Sequence, residues 1–319
     1  MSPKTRFELK PGPATREAFG RTLVELGREN KDVVVVDADL SKSTMTVYFQ
    51  KEFPDRFFSM GIAEANMIGV GAGLAMSGKI PFVASFSVFA MNKGFEQMRV
   101  CAAYGRSNLK VVGTHSGISI GEDGPSQMSI EEISLACSLA GFVVLAPADE
   151  ASTKALVRAA AAYAGPVFIR TGRPKAPIVY GPGQEFKIGK AVQVMDGKDV
   201  TIIANGLLVA QAIMAAEALE AEGVSARVLD MHTAKPLDRD AIARAAGETR
   251  AIVVAEEHLV DGGLGVRVAQ VVAIWPTPMS SPPTCTVTSV SAGPSASICG
   301  GLDTFSAFWE PVMAAVAAP

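Results

Sequence analysis

The stretch RFFSMGIAEANMIGVGAGLAMSGKIPF, residues 56–82, holds a carboxylate, Glu64, between a strand-like run and a helix-like run rich in glycine and alanine. In an open parallel sheet such a junction lies at the carboxyl edge, where ligands gather. The plain alternative is a first-turn acid favoured by the helix dipole, worth about 0.3–1 kcal/mol. The segment GTHSGISIGEDGPSQMS, 113–129, follows another strand-like run and carries His115, Glu122, Asp123 and Gln127 among four glycines. A polar loop at a strand's carboxyl end is a candidate site; as an ordinary connection it would use Ser126 or Ser129 to cap the next helix. SFSVFAMNKGF sets Phe86, Phe89 and Phe95 at a third junction, either as core or as a stacking platform for a flat heterocycle. VFIRTGRPKAP offers Arg170, Arg173 and Lys175, either a phosphate grip or a solvated basic linker. His115, His232 and His258 are the only histidines and lack metal-ligand spacing.

These residues need elements that bring them to one edge. ATREAFGRTLVELGREN has helical apolar spacing, with Thr15 as the expected N-cap, and leads into the all-apolar strand VVVVDADL. Strand and helix then alternate: RFFSM and AEANMIGVGAGLAMSG, IPFVASF and FAMNKGFEQMRVCAAY, LKVVGTH and SIEEISLACSLA, FVVLAP and DEASTKALVRAAAAYA, with PVFIRT closing the series. Such alternation predicts an open, mainly parallel sheet covered on both faces. Gly69, Gly71 and Gly73 each carry a helix penalty of about 1 kcal/mol relative to Ala, so close packing against that helix is expected.

TGRPKAPIVYGPGQEF, 171–186, reads as a linker, and a second unit follows: DVTIIANG, LLVAQAIMAAEALEAEG, SARVLDM, DRDAIARAAG, AIVVAEE and GLGVRVAQVVA. The expected fold class is therefore α/β, two open, mainly parallel doubly wound sheets in tandem. Residues 1–186, with the linker from about 171, form the first domain, and 187–274 the second. From Trp275 to Pro319 the only charged residues are Asp303 and Glu310. This atypical tail breaks the local consistency of the chain and is expected to be a poorly ordered extension, a divergent segment or the product of a shifted reading frame.

A hydrophobic fraction of 49% and a mean hydropathy of +0.27 suit a core-rich chain, one that can hide further surface in an oligomer. A net charge of −3 provides no basic footprint for nucleic acid or an anionic membrane. Cys101, Cys137, Cys285 and Cys299 form no C-x-x-C pair, and MSPKTRFELKPGP lacks the apolar core of a signal peptide, so a cytoplasmic protein is expected.

Taken in order, GIAEANM, SFSVF, HSGISIGEDGPS and VFIRTGRPKAP resemble the pyrimidine-binding domain of transketolases. VLDMHTAKPLD and AEEHLVDGGLG resemble the C-terminal domain of the same enzymes, and the resemblance covers about residues 10–274. It is greatest to the C-terminal subunit of a split transketolase, a thiamine-diphosphate enzyme divided between two chains. These enzymes anchor the diphosphate and a divalent metal through a GDG motif, which this sequence lacks. The resemblance thus implies a partner, the N-terminal subunit with the diphosphate-binding domain and Mg²⁺ (or Ca²⁺), in a heterotetramer.

The implied activity is transfer of a two-carbon ketol unit from a ketose phosphate to an aldose phosphate, in pentose phosphate metabolism. Glu64 would hydrogen-bond the ring nitrogen of the cofactor's aminopyrimidine, a role for a carboxylate that can share a proton in a dry site, and Phe86 and Phe89 would line that ring. Arg16, Ser43 and Arg170 match positions that bind the sugar phosphate; His115, counted with Glu64 as catalytic, and Asp123 match contacts to the sugar's hydroxyls or phosphate. Asn92 stands where some members have an aromatic. Gln127 replaces the histidine of ordinary transketolases and cannot carry charge at neutral pH, which puts the sugar in question. The alternatives are half of a deoxyxylulose phosphate synthase, a 2-oxoacid dehydrogenase beta-type subunit, or a non-catalytic regulatory or decayed subunit.

Overall fold

The computed structural model describes residues 9–274; the low-charge tail lies outside the described residues. In chain order the first elements are β1 (Pro11–Ala14), α1 (Thr15–Glu29), β2 (Val33–Asp37), α2 (Ser41–Thr44), α3 (Val47–Glu52), β3 (Phe57–Ser59), α4 (Glu64–Met76), β4 (Ile80–Phe86) and α5 (Ser87–Gln97). Next come β5 (Lys110–Thr114), α6 (Glu132–Ser138), β6 (Val143–Leu145), α7 (Glu150–Ala162), β7 (Val167–Arg170) and β8 (Lys175–Pro177). The remainder are β9 (Val192–Met195), β10 (Val200–Ala204), α8 (Leu208–Ala221), β11 (Ala226–Asp230), β12 (Thr233–Lys235), α9 (Arg239–Glu248), β13 (Ala251–Ala255) and α10 (Leu264–Ile274).

Seven strands form one sheet in the order β12-β6-β7-β5-β4-β2-β3, and four form another in the order β13-β10-β11-β9. Within these two sheets, among the described residues, only β12 and β9, each at an edge, run antiparallel to their neighbours. The chain is thus two tandem, mainly parallel α/β sheets. Alternate residues of the first sheet enter two cores. Val36, Val83, Val111 and Val144 meet Met67, Ile68, Met91 and Ile133 on one face; Val35, Phe82, Val112 and Ile169 meet Phe19, Leu23, Phe49 and Leu156 on the other. Burial on both faces is why β2 reads VVVV without alternation. In the second sheet one face packs on α8 and the other on α9 and α10.

Several expectations need adjustment. Thr15 is the first residue of α1 and Ala14 the N-cap; the Thr15 hydroxyl instead accepts from the Gly172 N–H at 2.7 Å. Gly71 packs against Val83 and Leu109 as the sequence requires, but Gly69 and Gly73 face open space in this chain. The proline-rich segment after β7 is no free tether. It contributes β8, which pairs antiparallel with β1, and Tyr180, which is buried. Nor are the two units separate: β12, from the second half, pairs with β6 of the first sheet. Lys235 on β12 donates to the Cys137 and Leu139 carbonyls at 2.8 and 2.6 Å, satisfying the C-terminal end of α6.

Asp149 links α7 to the segment after β8. Its Oδ1 accepts from the Ser152 N–H as the α7 N-cap, while Oδ2 accepts from the Val179 and Tyr180 N–H groups at 3.0 and 2.9 Å. Asp149→Ala removes a cap and orphans two buried donors, so unfolding of the chain in urea, followed by circular dichroism, should show a loss of roughly 2–4 kcal/mol. Asp149→Asn keeps an acceptor on one side only and turns an NH2 toward the donors on the other, so it should lose about 1–3 kcal/mol.

Candidate active site

Glu64 opens α4 and is buried, 3% exposed. Its partners are distant for a buried carboxylate: the Ser85 hydroxyl stands 3.5 Å from Oε1 and the Lys93 ammonium 3.6 Å from Oε2. Phe86, which ends β4, and Phe89 on α5 lie nearly parallel, 9° between planes and 5.7 Å between centroids. Lys93 also sits 4.7 Å above the Phe89 ring. Asn92 points elsewhere, donating to Glu131 Oε1 at 2.7 Å.

His115 follows β5 with a φ of +58°, a left-handed backbone that costs a non-glycine residue about 1–3 kcal/mol. That turn lays its ring on Phe86, 3.8 Å between centroids, and places both ring nitrogens in contacts. Nε2 is 2.9 Å from Arg16 Nη1, and Nδ1 is 2.8 Å from the Thr114 hydroxyl. Because a guanidinium only donates, Nε2 must accept and the proton resides on Nδ1. Burial, with Arg16 and then Arg173 adding positive charge, pushes the imidazole down to about 3.

Arg16 also donates to the Ser43 carbonyl at 2.8 Å, which fixes the α2 turn beside it. Asp37, a residue the sequence reading passed over, holds that turn from below: its carboxylate accepts from Leu40 N, Thr44 Oγ1 and Thr46 Oγ1 at 2.6, 2.7 and 2.9 Å. Its one sequence signal is an acid at the end of an all-apolar strand. Asp123 lies in the loop after His115 and pairs with Arg173 at 3.4 Å. Arg173 also pairs with Glu122 and donates to the Ile120 carbonyl at 2.9 Å. Gln127 accepts from the Ser126 hydroxyl at 2.6 Å.

Arg170 requires a correction. Its guanidinium is 3% exposed and bound to Glu132 Oε1 at 2.6 Å and to the Glu257 carbonyl at 3.1 Å. Burial opposes its charge, but Glu132 and Glu257 more than restore it. A side chain so enclosed offers nothing to a phosphate. Arg173, the other arginine of that strand end, is the one that joins Arg16 and His115 at the loop.

The edge of the first sheet therefore presents a sparsely hydrogen-bonded acid, paired aromatic rings and two guanidinium groups around a neutral imidazole. Residues 11–178 match the family described as transketolase, pyrimidine binding domain, and residues 189–293 that described as transketolase, C-terminal domain. A provisionally assigned transketolase C-terminal section from Methanocaldococcus jannaschii is 45% identical over 260 residues, covering 81% of each protein. A 6-deoxy-6-sulfo-D-fructose transketolase subunit from Clostridium sp. strain MSTE9 is 40% identical over 255 residues, 80% of this chain and 79% of its own. Among solved structures, a split-gene transketolase in an inactive beta4 tetramer superposes with a TM-score of 0.83 at 44% identity, covering 96% of this chain and 98% of that one. The chain belongs to the transketolase family, as its C-terminal section.

The low proton affinity of His115 has a measurable sign. A histidine that binds protons less readily when folded adds stability that is complete above its ordinary value of 6.5 and is lost as pH falls toward about 3. His232, buried and pushed down to about 4, acts in the same direction. Between about pH 7 and about pH 5 the unfolding free energy of His115→Asn should therefore fall by about 2 kcal/mol less than that of the wild type, read from urea titrations at each pH.

Proposed function

We propose that this chain is the half of a split transketolase that receives the aminopyrimidine of thiamine diphosphate on Glu64, Phe86 and Phe89. The observation that carries the reading is Glu64, a carboxylate buried beside parallel rings with its nearest side-chain partners 3.5 and 3.6 Å away. Such an acid is under-satisfied for its burial and suits a flat heterocycle whose nitrogen shares a proton with it. When bound, thiamine diphosphate supplies the carbon nucleophile for ketol transfer between sugar phosphates. The chain's own residues hold and orient: Glu64 keeps a proton at the pyrimidine nitrogen, Phe86 and Phe89 exclude water, and Arg16, Arg173 and His115 face the sugar's anionic end with Ser43 beside them. Asp123 accepts from a sugar hydroxyl and Gln127 lines the same loop.

The diphosphate and Mg²⁺ (or Ca²⁺) are assigned to a second, N-terminal subunit within a heterotetramer. This assignment is supported by the sequence, which lacks the GDG motif through which such enzymes hold the diphosphate and its metal. The outer face of α4 is open at Gly69 and Gly73 and flanked by Ile62 and Met76, 79% and 65% exposed, which suits a docked subunit. In this reading residues 1–186 are the cofactor-facing domain, residues 187–274 are the C-terminal domain, and the enzyme is cytoplasmic; no described helix is long and apolar enough to cross a membrane. Paired guanidinium groups suit a sulfonate as well as a phosphate, and one relative is named for a sulfosugar, so both donor types belong in the assay.

Mixed with a cognate diphosphate-binding subunit, thiamine diphosphate and Mg²⁺, the chain should release ketol from xylulose 5-phosphate only when both subunits are present. Glu64→Gln should lower that rate about 10²-fold or more; a variant as fast as wild type would sink the reading. Arg173→Met should raise KM for the sugar phosphate about tenfold or more with kcat little changed. Turnover of 6-deoxy-6-sulfofructose but not xylulose 5-phosphate would move the substrate class to sulfosugars.

A further inference from the structure

We infer that Glu257, supplied by the segment after β13, is a positioning residue that clamps the sugar-facing loop together with Arg170. The inference rests on reading residues 115–129 as the sugar site. That loop has little regular structure of its own: one short 3₁₀ turn, Gly121–Asp123, and a closing bond from Gly117 N–H to the Ser129 carbonyl at 2.7 Å. Ordering such a loop costs backbone entropy that its own few hydrogen bonds do not offset, so the hold must come from outside it.

The outside hold is concentrated at residues 117–120. The Ser119 N–H donates to Glu257 Oε1 at 2.9 Å. Gly117 lies so close to the ion pair that a Cβ there would fall 2.7 Å from both Arg170 Nη2 and Glu257 Cδ, and its φ is +82°. Ile120, fully buried, accepts from Arg173, the side chain that also pairs with Asp123. The base of the loop is held by the same segment: Leu259 N–H donates to the Ile130 carbonyl at 2.7 Å, and Ser134 N–H donates to His258 Nε2 at 3.2 Å. Two carboxylates surround one guanidinium: Glu257 Oε2 is ion-paired with Arg170 Nη2 at 3.6 Å, beyond hydrogen-bond distance, and Glu132 Oε2 lacks a hydrogen-bond partner. A buried charge cluster left incomplete in this way is poorly arranged for stability alone, whereas its geometry fixes the loop backbone that bears Asp123 and Gln127.

The test uses the enzyme reconstituted with its diphosphate-binding subunit, with xylulose 5-phosphate as donor. Glu257→Ala should raise KM for the donor about tenfold while kcat stays within about threefold and the affinity for thiamine diphosphate is unchanged, because the loop loses a part-buried hydrogen bond and the ion pair to Arg170 behind it. Amide exchange across residues 117–124 should quicken about tenfold, with β5 and β13 exchanging as in the wild type. Glu257→Gln, which keeps an acceptor for Ser119, should restore KM to within about threefold. Unchanged KM and loop exchange in Glu257→Ala would overturn the inference, as would a fall of kcat and cofactor affinity as large as the rise in KM. If Glu257→Ala does not fold, Gly117→Ala presses on the same pair from the loop side and must show the same selective KM rise. If the wild type turns over neither sugar, the proposed function fails, and loop exchange alone decides the clamp.

Discussion

A guanidinium buried at 3% exposure has to be compensated on the spot, and the way Arg170 is compensated organises the rest of the site. Its partners come from α6 and from the segment after β13, so the end of β7, the helix after the loop and the second sheet are tied at one point. Removing a partner from such a pair typically costs about 3–5 kcal/mol because a charge is left unpaired in the interior. With Arg170 turned inward, Arg173 is left beyond the strand end, where it meets Asp123 and the loop.

Of the two guanidinium groups at this edge, Arg173 is paired with Glu122 and Asp123, while Arg16 bonds the Ser43 carbonyl and His115. Arg16 and Arg173 lie close enough to depress each other's neighbour, His115, which stays neutral between them. A neutral imidazole with Nε2 already accepting adds no repulsion to an arriving anion and needs no reorganisation to be in place, the condition under which fixed dipoles and charges contribute most. Glu64 stands across Phe86 from this group, with Ser85 connecting the two regions: its hydroxyl lies toward Glu64, and its carbonyl accepts from Thr114, the partner of His115.

The two units cooperate more closely than tandem domains need to. β12 completes the edge of the first sheet, and Lys235 on it caps α6. The segment 256–259 then runs along the base of the loop after β5, bonding Ser119, Ile130 and Ser134.

Most of the fold was legible in the sequence because each strand and helix is a local pattern. VVVV is too apolar for a half-exposed strand, and AEANMIGVGAGLAM has helical spacing. That Glu64, Phe86 and His115 lie at the sheet edge was legible for the same reason, since a strand-to-helix junction puts its residues there wherever the strand sits. What the sequence could not decide was long-range. Whether Arg170 or Arg173 is enclosed depends on carboxylates 38 and 87 positions away, and the three-residue β12 has no pattern of its own until β6 pairs with it. Asp37, Glu132 and Glu257 look like ordinary acids in the chain. Burial gives them their roles, because a charged group removed from water takes its function from whichever partner the tertiary structure brings to it.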